Sequence, residues 1–300
     1  MGLARTVLGD IGPERLGVVL AHEHLIIDSS IVEREWPHIH LPSVREAIAE
    51  SNELVESGVG TLVDAMPVGS GGDPERLAEV ARATGLNVIA STGMHTARYY
   101  SNGDWHLEAS AGQLAARFID SLTGSAPRAG LVKLATTGPT PNPLEHRLFE
   151  AAAITSKATG APLLTHCEGG QGGMAQLELL HELGVPLTRV AMSHTDKVGD
   201  PSYHQDLLDS GVSLCLDQGL RHPERTSGLF VQLVSAGFGA QLMIGTDGAR
   251  RSLWSTLGGS PGLAWANTRF RDLLTERGLD ETVLTRIYRD NPARWLTLIG

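Results

Sequence analysis

Along the 300 residues of this chain, eight short apolar runs alternate with helix-like patterns, and few architectures accept that alternation. Counted from Val18, the runs are Val18-Val19-Leu20, Thr61–Asp64, Asn87–Thr92, Gly130–Leu134, Pro162–Thr165, Val190–Ser193, Val212–Leu216 and Gln241–Gly245. Helices are predicted between them: after a Ser43 cap to Ser57, then Asp73–Thr84, Ala111–Leu122, Pro143–Thr159, Gln171–Leu183, Ser202–Ser210 and Glu224–Ala236. Two more, Leu263–Glu276 and Asp280–Arg289, close the chain, with Asn291-Pro292 expected to end the last. Strands this apolar belong in a sheet covered on both faces. Eight strand–helix units in a chain of this size predict one domain over residues 1–300, a (β/α)8 TIM barrel of the α/β class. A doubly wound open sheet competes, but it would carry a glycine-rich phosphate loop after its first strand, where this chain has His22-Glu23-His24.

Shorter signals fill in the rest. Thr6-Val7-Leu8 and Val18-Val19-Leu20 flank a stretch broken by Gly9, Gly12, Pro13 and Gly17, which predicts a short N-terminal β-hairpin feeding the first core strand. Ile26–Leu41 has no period and is expected to be irregular. Ser43 with Glu46 three residues on predicts a capping box. The glycine-rich stretches at 69–72 and 258–262 read as loops following strands.

Potential metal ligands fall at the strand ends. His22 and His24, two apart on an extended run, point to one side. Chance alone supplies roughly 0.5 such His-x-His pairs per chain of this histidine content, so the pair gains meaning only from its company. Lys133 lies near the end of the fourth strand, His166 and His194 follow the fifth and sixth, and Asp247 follows the eighth. In a (β/α)8 barrel these ends share one face. Four imidazoles, a carboxylate and a bridging group suit two divalent ions, zinc best among them. A buried lysine beside two cations would be neutral, and a neutral amine takes up carbon dioxide to give an anionic carbamate bridge on Lys133.

Composition narrows the partners. A net charge of −10 without a basic cluster argues against nucleic acid. No run approaches the roughly 20 apolar residues of a membrane span, and no secretory signal is visible, so a cytoplasmic protein with a small-molecule substrate is predicted. Cys167 and Cys215 are too few for a disulfide framework.

With these stretches in view, the chain resembles the phosphotriesterase-related proteins of the amidohydrolase superfamily. The likeness rests on His22-Glu23-His24-Leu25, Ala129–Thr137, Thr165-His166-Cys167, Ser193–Asp196 and Gly245-Thr246-Asp247, with Asp290-Asn291-Pro292-Ala293 resembling the family's final helix. The resemblance implies that His22, His24 and Asp247 bind a more buried metal, that His166 and His194 bind a more exposed one, and that carbamylated Lys133 bridges both. A homodimer is the assembly it implies.

Chemistry follows from that ligand set. A hydroxide between two cations is a nucleophile at neutral pH, and Asp247 beside it is the natural proton shuttle. Phosphotriesterases of the family tend to place a relay histidine after the seventh-strand aspartate; here Asp217 is followed by Gln218. His95 stands where relatives have a pocket wall, and Arg250, Arg251 and Lys197 suit either a substrate anion or solvated loop charges. The combination predicts a lactonase, of a phosphorylated sugar lactone among other candidates, with weak phosphotriesterase activity. A phosphotriesterase, a cyclic amidase of the same superfamily, and a non-catalytic metal-binding scaffold are the alternatives.

Overall fold

The computed structural model describes residues 2–299. β1 (Ala4–Thr6) and β2 (Gly9–Ile11) pair antiparallel. β3 (Val18–Glu23), β4 (Val59–Asp64), β5 (Asn87–Gly93), β6 (Ala129–Thr136), β7 (Leu163–Cys167), β8 (Val190–Ser193), β9 (Ser213–Leu216) and β10 (Leu242–Ile244) form one parallel sheet in sequence order. The helices that follow the strands are α1 (Ser30–Glu35), α2 (Val44–Glu56), α3 (Pro74–Thr84), α4 (Trp105–Glu108), α5 (Ala111–Thr123), α6 (Pro143–Thr159), α7 (Gly173–Glu182), α8 (Pro201–Asp209), α9 (Pro223–Ser235), α10 (Arg269–Glu276), α11 (Glu281–Thr285) and α12 (Asn291–Leu296). The sheet curls until β3 and the end of β10 meet. There Thr246 and Asp247 donate their N–H groups to the His22 carbonyl at 3.2 and 3.1 Å. The result is the nearly closed (β/α)8 barrel that the alternation predicts.

Strand alternation sorts the core into two layers. Val19, Ala21, Val63, Ile89, Leu131, Leu164, Ala191, Cys215 and Met243 pack together inside the barrel. Their strand neighbours Leu20, Leu62, Val88, Val132, Leu163, Val190 and Leu214 pack outward with helix residues such as Leu54, Leu77, Phe118 and Phe149. Truncating the fully buried Phe149 in that outer layer would cost about 3–5 kcal/mol. Among the described residues, no helix is long and apolar enough to cross a membrane.

Several local expectations are corrected. The hairpin closes inside the stretch that the glycines break rather than across it, with Thr6 paired to Gly9, while Val18–Leu20 is the first barrel strand as predicted. Residues 26–41 are not wholly irregular, because Ser29 caps α1 by accepting from the Val32 N–H. At α2, Ser43 accepts from the Glu46 N–H but no reciprocal bond forms; the Glu46 carboxylate faces Arg251 instead. The predicted helix Leu263–Glu276 breaks at Thr268, with a 3-10 turn before it and α10 after it. Finally, Asn291-Pro292 does not end the last helix. A π-type turn over Arg286–Asp290 precedes Pro292, which sits in the first turn of α12, where its missing N–H is tolerated.

Candidate metal centre

The alternation that fills the barrel also aims its polar residues. Leu131, Leu164 and Cys215 point inward, so two residues further on Lys133, His166 and Asp217 do as well. His22 and His24 need help, because Val19 and Ala21 already occupy the inward positions of β3. One extra residue between Leu20 and Glu23, relative to β4, resets the phase there. His194 also falls out of phase with Ala191. It is turned by a left-handed backbone (φ 69°), which Asp247 shares (φ 48°). These are the two non-glycine residues with positive φ among those described, a conformation costing of order 1–3 kcal/mol when forced by function.

Asp217 organises two of the histidines. It accepts from Nδ1 of His22 at 2.8 Å and from Nδ1 of His194 at 2.9 Å. A carboxylate only accepts, so both rings carry their proton on Nδ1 and turn a bare Nε2 inward. Gln218 donates to the same carboxylate at 2.7 Å, as does the His194 backbone N–H at 3.2 Å. Burial opposes the charge on Asp217, but His194 and His22 prevail and hold it well below the usual carboxylate range. Cys167, next to His166, packs into the outer core, as the extended backbone requires.

Around that anchor the remaining groups gather. The fully buried Lys133 Nζ lies 3.2 Å from Nε2 of His22, and burial lowers its pKa to about 8. Asp247 places one oxygen 3.6 Å from Nε2 of His24 and the other 4.0 Å from Nδ1 of His194. His166 stacks edge-on to His194 with ring centres 4.4 Å apart, and burial above all, with His194 beside it, brings it down to about 3. Its Nε2 pairs with Glu168 at 3.0 Å, while its Nδ1 is buried without a partner, as is Nδ1 of His24. All six groups named from the sequence therefore meet at one end of the barrel.

This donor set fits divalent metal. Imidazoles with orphaned or inward-facing nitrogens and a carboxylate, beside an amine whose charge burial disfavours, leave the site short of bonding partners. His22, His24 and Asp247 offer one atom each within 4.8 Å of one another, and so do His22, His194 and Asp217. Both oxygens of Asp217 are already engaged by ring N–H groups, so it supports the ligands rather than joining them.

The cavity over this cluster, about 220 Å³, is lined by His24, His95, His166, His194 and Asp247 at its floor and by Trp36, Arg98, Tyr99, Lys197, Arg221 and Arg250 around its walls. His95 stacks between His166 (4.8 Å) and Tyr99 (4.7 Å). Lys197 and Arg250 line the wall. Arg251 does not: its guanidinium turns away to the His40 carbonyl at 3.2 Å and Glu46 at 3.7 Å. Arg250 is extended, so consecutive side chains point apart. Arg221 was not legible in the sequence. It donates to the Thr246 and Asp247 carbonyls at 3.2 and 2.6 Å and lies 3.5 Å from the Asp247 carboxylate. Arg98 and Glu168, paired across the mouth, were also missed, although a carboxylate two residues after a strand-end histidine was a usable signal for Glu168.

Fold and donor set together define a metal-dependent hydrolase of the barrel class. The model of the phosphotriesterase family matches residues 2–296, and the chain belongs to that family. It is 29% identical to an aryldialkylphosphatase of Saccharolobus solfataricus over 94% of this chain and 95% of that one. It is likewise 29% identical to a phospho-furanose lactonase of Mycoplasmopsis synoviae, over 98% of this chain and 91% of the relative. A crystal structure of a lactonase from Listeria monocytogenes superposes with a TM-score of 0.93 at 25% identity, covering 99% of this chain and all of the other.

Proposed function

We propose that this chain is a binuclear metal hydrolase that opens lactones bearing an anionic substituent, phosphorylated furanose lactones foremost. His22, His24 and Asp247 would hold the more buried ion and His166 and His194 the more exposed one, with carbamylated Lys133 between them. When bound, such a pair supplies Lewis acidity and an activated water; zinc suits the nitrogen-rich set best.

The chain's own residues do the remainder. Asp247, ionised because His194, His24 and Arg221 outweigh its burial, takes up a proton and returns it to the departing alkoxide oxygen. Trp36, Tyr99 and His95 pack against the ring and limit water. Lys197, Arg221 and Arg250 face the substrate and continue into a second chamber of about 560 Å³ that also presents His222 and Arg225. The charges of Lys197, Arg221, Arg225 and Arg250 at the mouth of a chain with net charge −10 carry the substrate assignment. A neutral phosphotriester has no use for it, while a phosphate or carboxylate takes bidentate bonds from arginine. Gln218, donating to Asp217, offers no relay proton acceptor in the place where phosphotriesterases of the family tend to carry a histidine.

Kinetics on phosphorylated furanolactones, plain furanolactones, acyl-homoserine lactones, lactams and paraoxon test this reading. The phosphorylated lactones are expected to give the highest kcat/KM, with paraoxon weak. Paraoxon turnover above every lactone would reverse the assignment to a phosphotriesterase. Lactam turnover above every lactone would make it a cyclic amidase. Two bound metals without any turnover would point to the scaffold.

A further inference from the structure

Glu23, the last residue of β3, sits between His22 and His24 yet turns its carboxyl to the segment around Asp247, and its side chain is fully buried. Its Oε1 accepts the Thr246 backbone N–H at 2.6 Å, and its Oε2 accepts the Thr246 hydroxyl and, at 3.4 Å, the Gly248 N–H. These donors straddle Asp247. Asp247 itself is held in the left-handed region at φ 48°, with its own N–H given to the His22 carbonyl at 3.1 Å. Among the described residues, β3 and β10 form no ladder with each other. The segment carrying Asp247 is therefore tied to the first strand chiefly by this one carboxylate and the neighbouring carbonyl. Gly248 leaves the room for it: a Cβ there would come within 2.3 Å of Leu263 and 3.1 Å of Glu23 Oε2.

We infer that Glu23 is a positioning residue for Asp247, fixing its strained backbone so that its carboxylate meets His22 and His24, and thereby setting the affinity of the more buried metal position. The inference rests on the metal pair proposed above. A carboxyl suits the task because its two oxygens accept the Thr246 and Gly248 N–H groups together, while the Thr246 hydroxyl can donate or accept. Glutamine keeps the shape but turns an NH2 toward one of those donors, which frees Asp247 to relax out of the left-handed region.

The test is zinc titration of metal-free Glu23→Gln against a competing chelator, with cobalt(II) absorption spectra and thermal melts of the same samples. Expected is a cooperatively melting protein with one equivalent bound as in the parent and the other weakened about 10–100-fold, with an altered cobalt spectrum for that equivalent. The phosphorylated lactone should show a lower kcat at a KM within about twofold of the parent, as expected when ground-state binding is untouched. If Glu23→Gln does not fold, Thr246→Val removes only the hydroxyl donor and should weaken the same equivalent in the same direction, by less. Two equivalents held with parental affinity and spectrum in the folded variant would overturn the inference alone. A parent chain that binds no metal would overturn the underlying reading and this one with it.

Discussion

Replacing Asp217 with asparagine separates a carboxylate that orients two ligands from one that merely fills space. Asparagine keeps the outline but exchanges one acceptor oxygen for an NH2 group. In either orientation that NH2 faces a ring Nδ1–H, of His22 now at 2.8 Å or of His194 at 2.9 Å, donor against donor. The affected ring must move its proton to Nε2, the nitrogen turned toward the metal position. A hydrogen bond to a charged group is worth roughly 1.5–3 kcal/mol. At 1.4 kcal/mol per factor of ten, its loss predicts about a 10–100-fold weaker ion at one position, the range seen when partners of metal-bound histidines are removed. Metal-free Asp217→Asn titrated with zinc against a chromogenic chelator reads this directly, and a melt shows that the fold persists. Parental affinity for both equivalents would refute the tautomer reasoning.

Other outcomes follow from the same geometry. Lys133→Ala should lose the bridge, hold at most one ion and recover activity only with a small carboxylic acid; full metal content without the acid would contradict the bridge. Lys133 at about 8, against 10.5 for a free lysine, is neutral in about a tenth of molecules at pH 7. Reconstitution with zinc at a constant concentration of dissolved carbon dioxide should therefore accelerate as pH rises toward 8 and level off above it, and a flat profile under those conditions would argue against a carbamate. His166, at about 3 against 6.5, withholds a proton that the unfolded chain binds, so the metal-free protein should lose stability as pH falls from 6.5 toward 3; melts unchanged across that window would count against a buried neutral ring. Arg250→Ala should raise KM for a phosphorylated lactone about tenfold or more, the worth of a charge-assisted contact, while Arg251→Ala stays within about twofold because its guanidinium is outside the cavity.

Much of this was readable in advance because barrel strands obey a period of two. Lys133 between Val132 and Leu134 could only point inward if its neighbours pointed out, and they do. His166 followed by the same rule. What escaped is what depends on distant chain segments meeting. In the sequence Asp217 stands out only as the residue before Gln218, whereas its work is to join His22, 195 positions away, to His194, 23 away. The left-handed turns at His194 and Asp247 leave no trace in residue type. Arg221 sits in a loop without period, and the adjacent arginines 250 and 251 could not be told apart until the backbone showed them diverging. Local chemistry misled in one place: Asn291-Pro292 looked like a terminator, but a widened turn ahead of Pro292 accommodates it.

The central claim is that two ions are held at the strand ends with a carbamate between them. Anomalous diffraction from crystals of the zinc-loaded protein addresses it most directly. Two peaks roughly 3.5–4 Å apart are expected, flanked by His22, His24 and Asp247 on one side and His166 and His194 on the other, with density continuing past Nζ of Lys133. A single peak, peaks elsewhere, or density ending at a bare amine would contradict it.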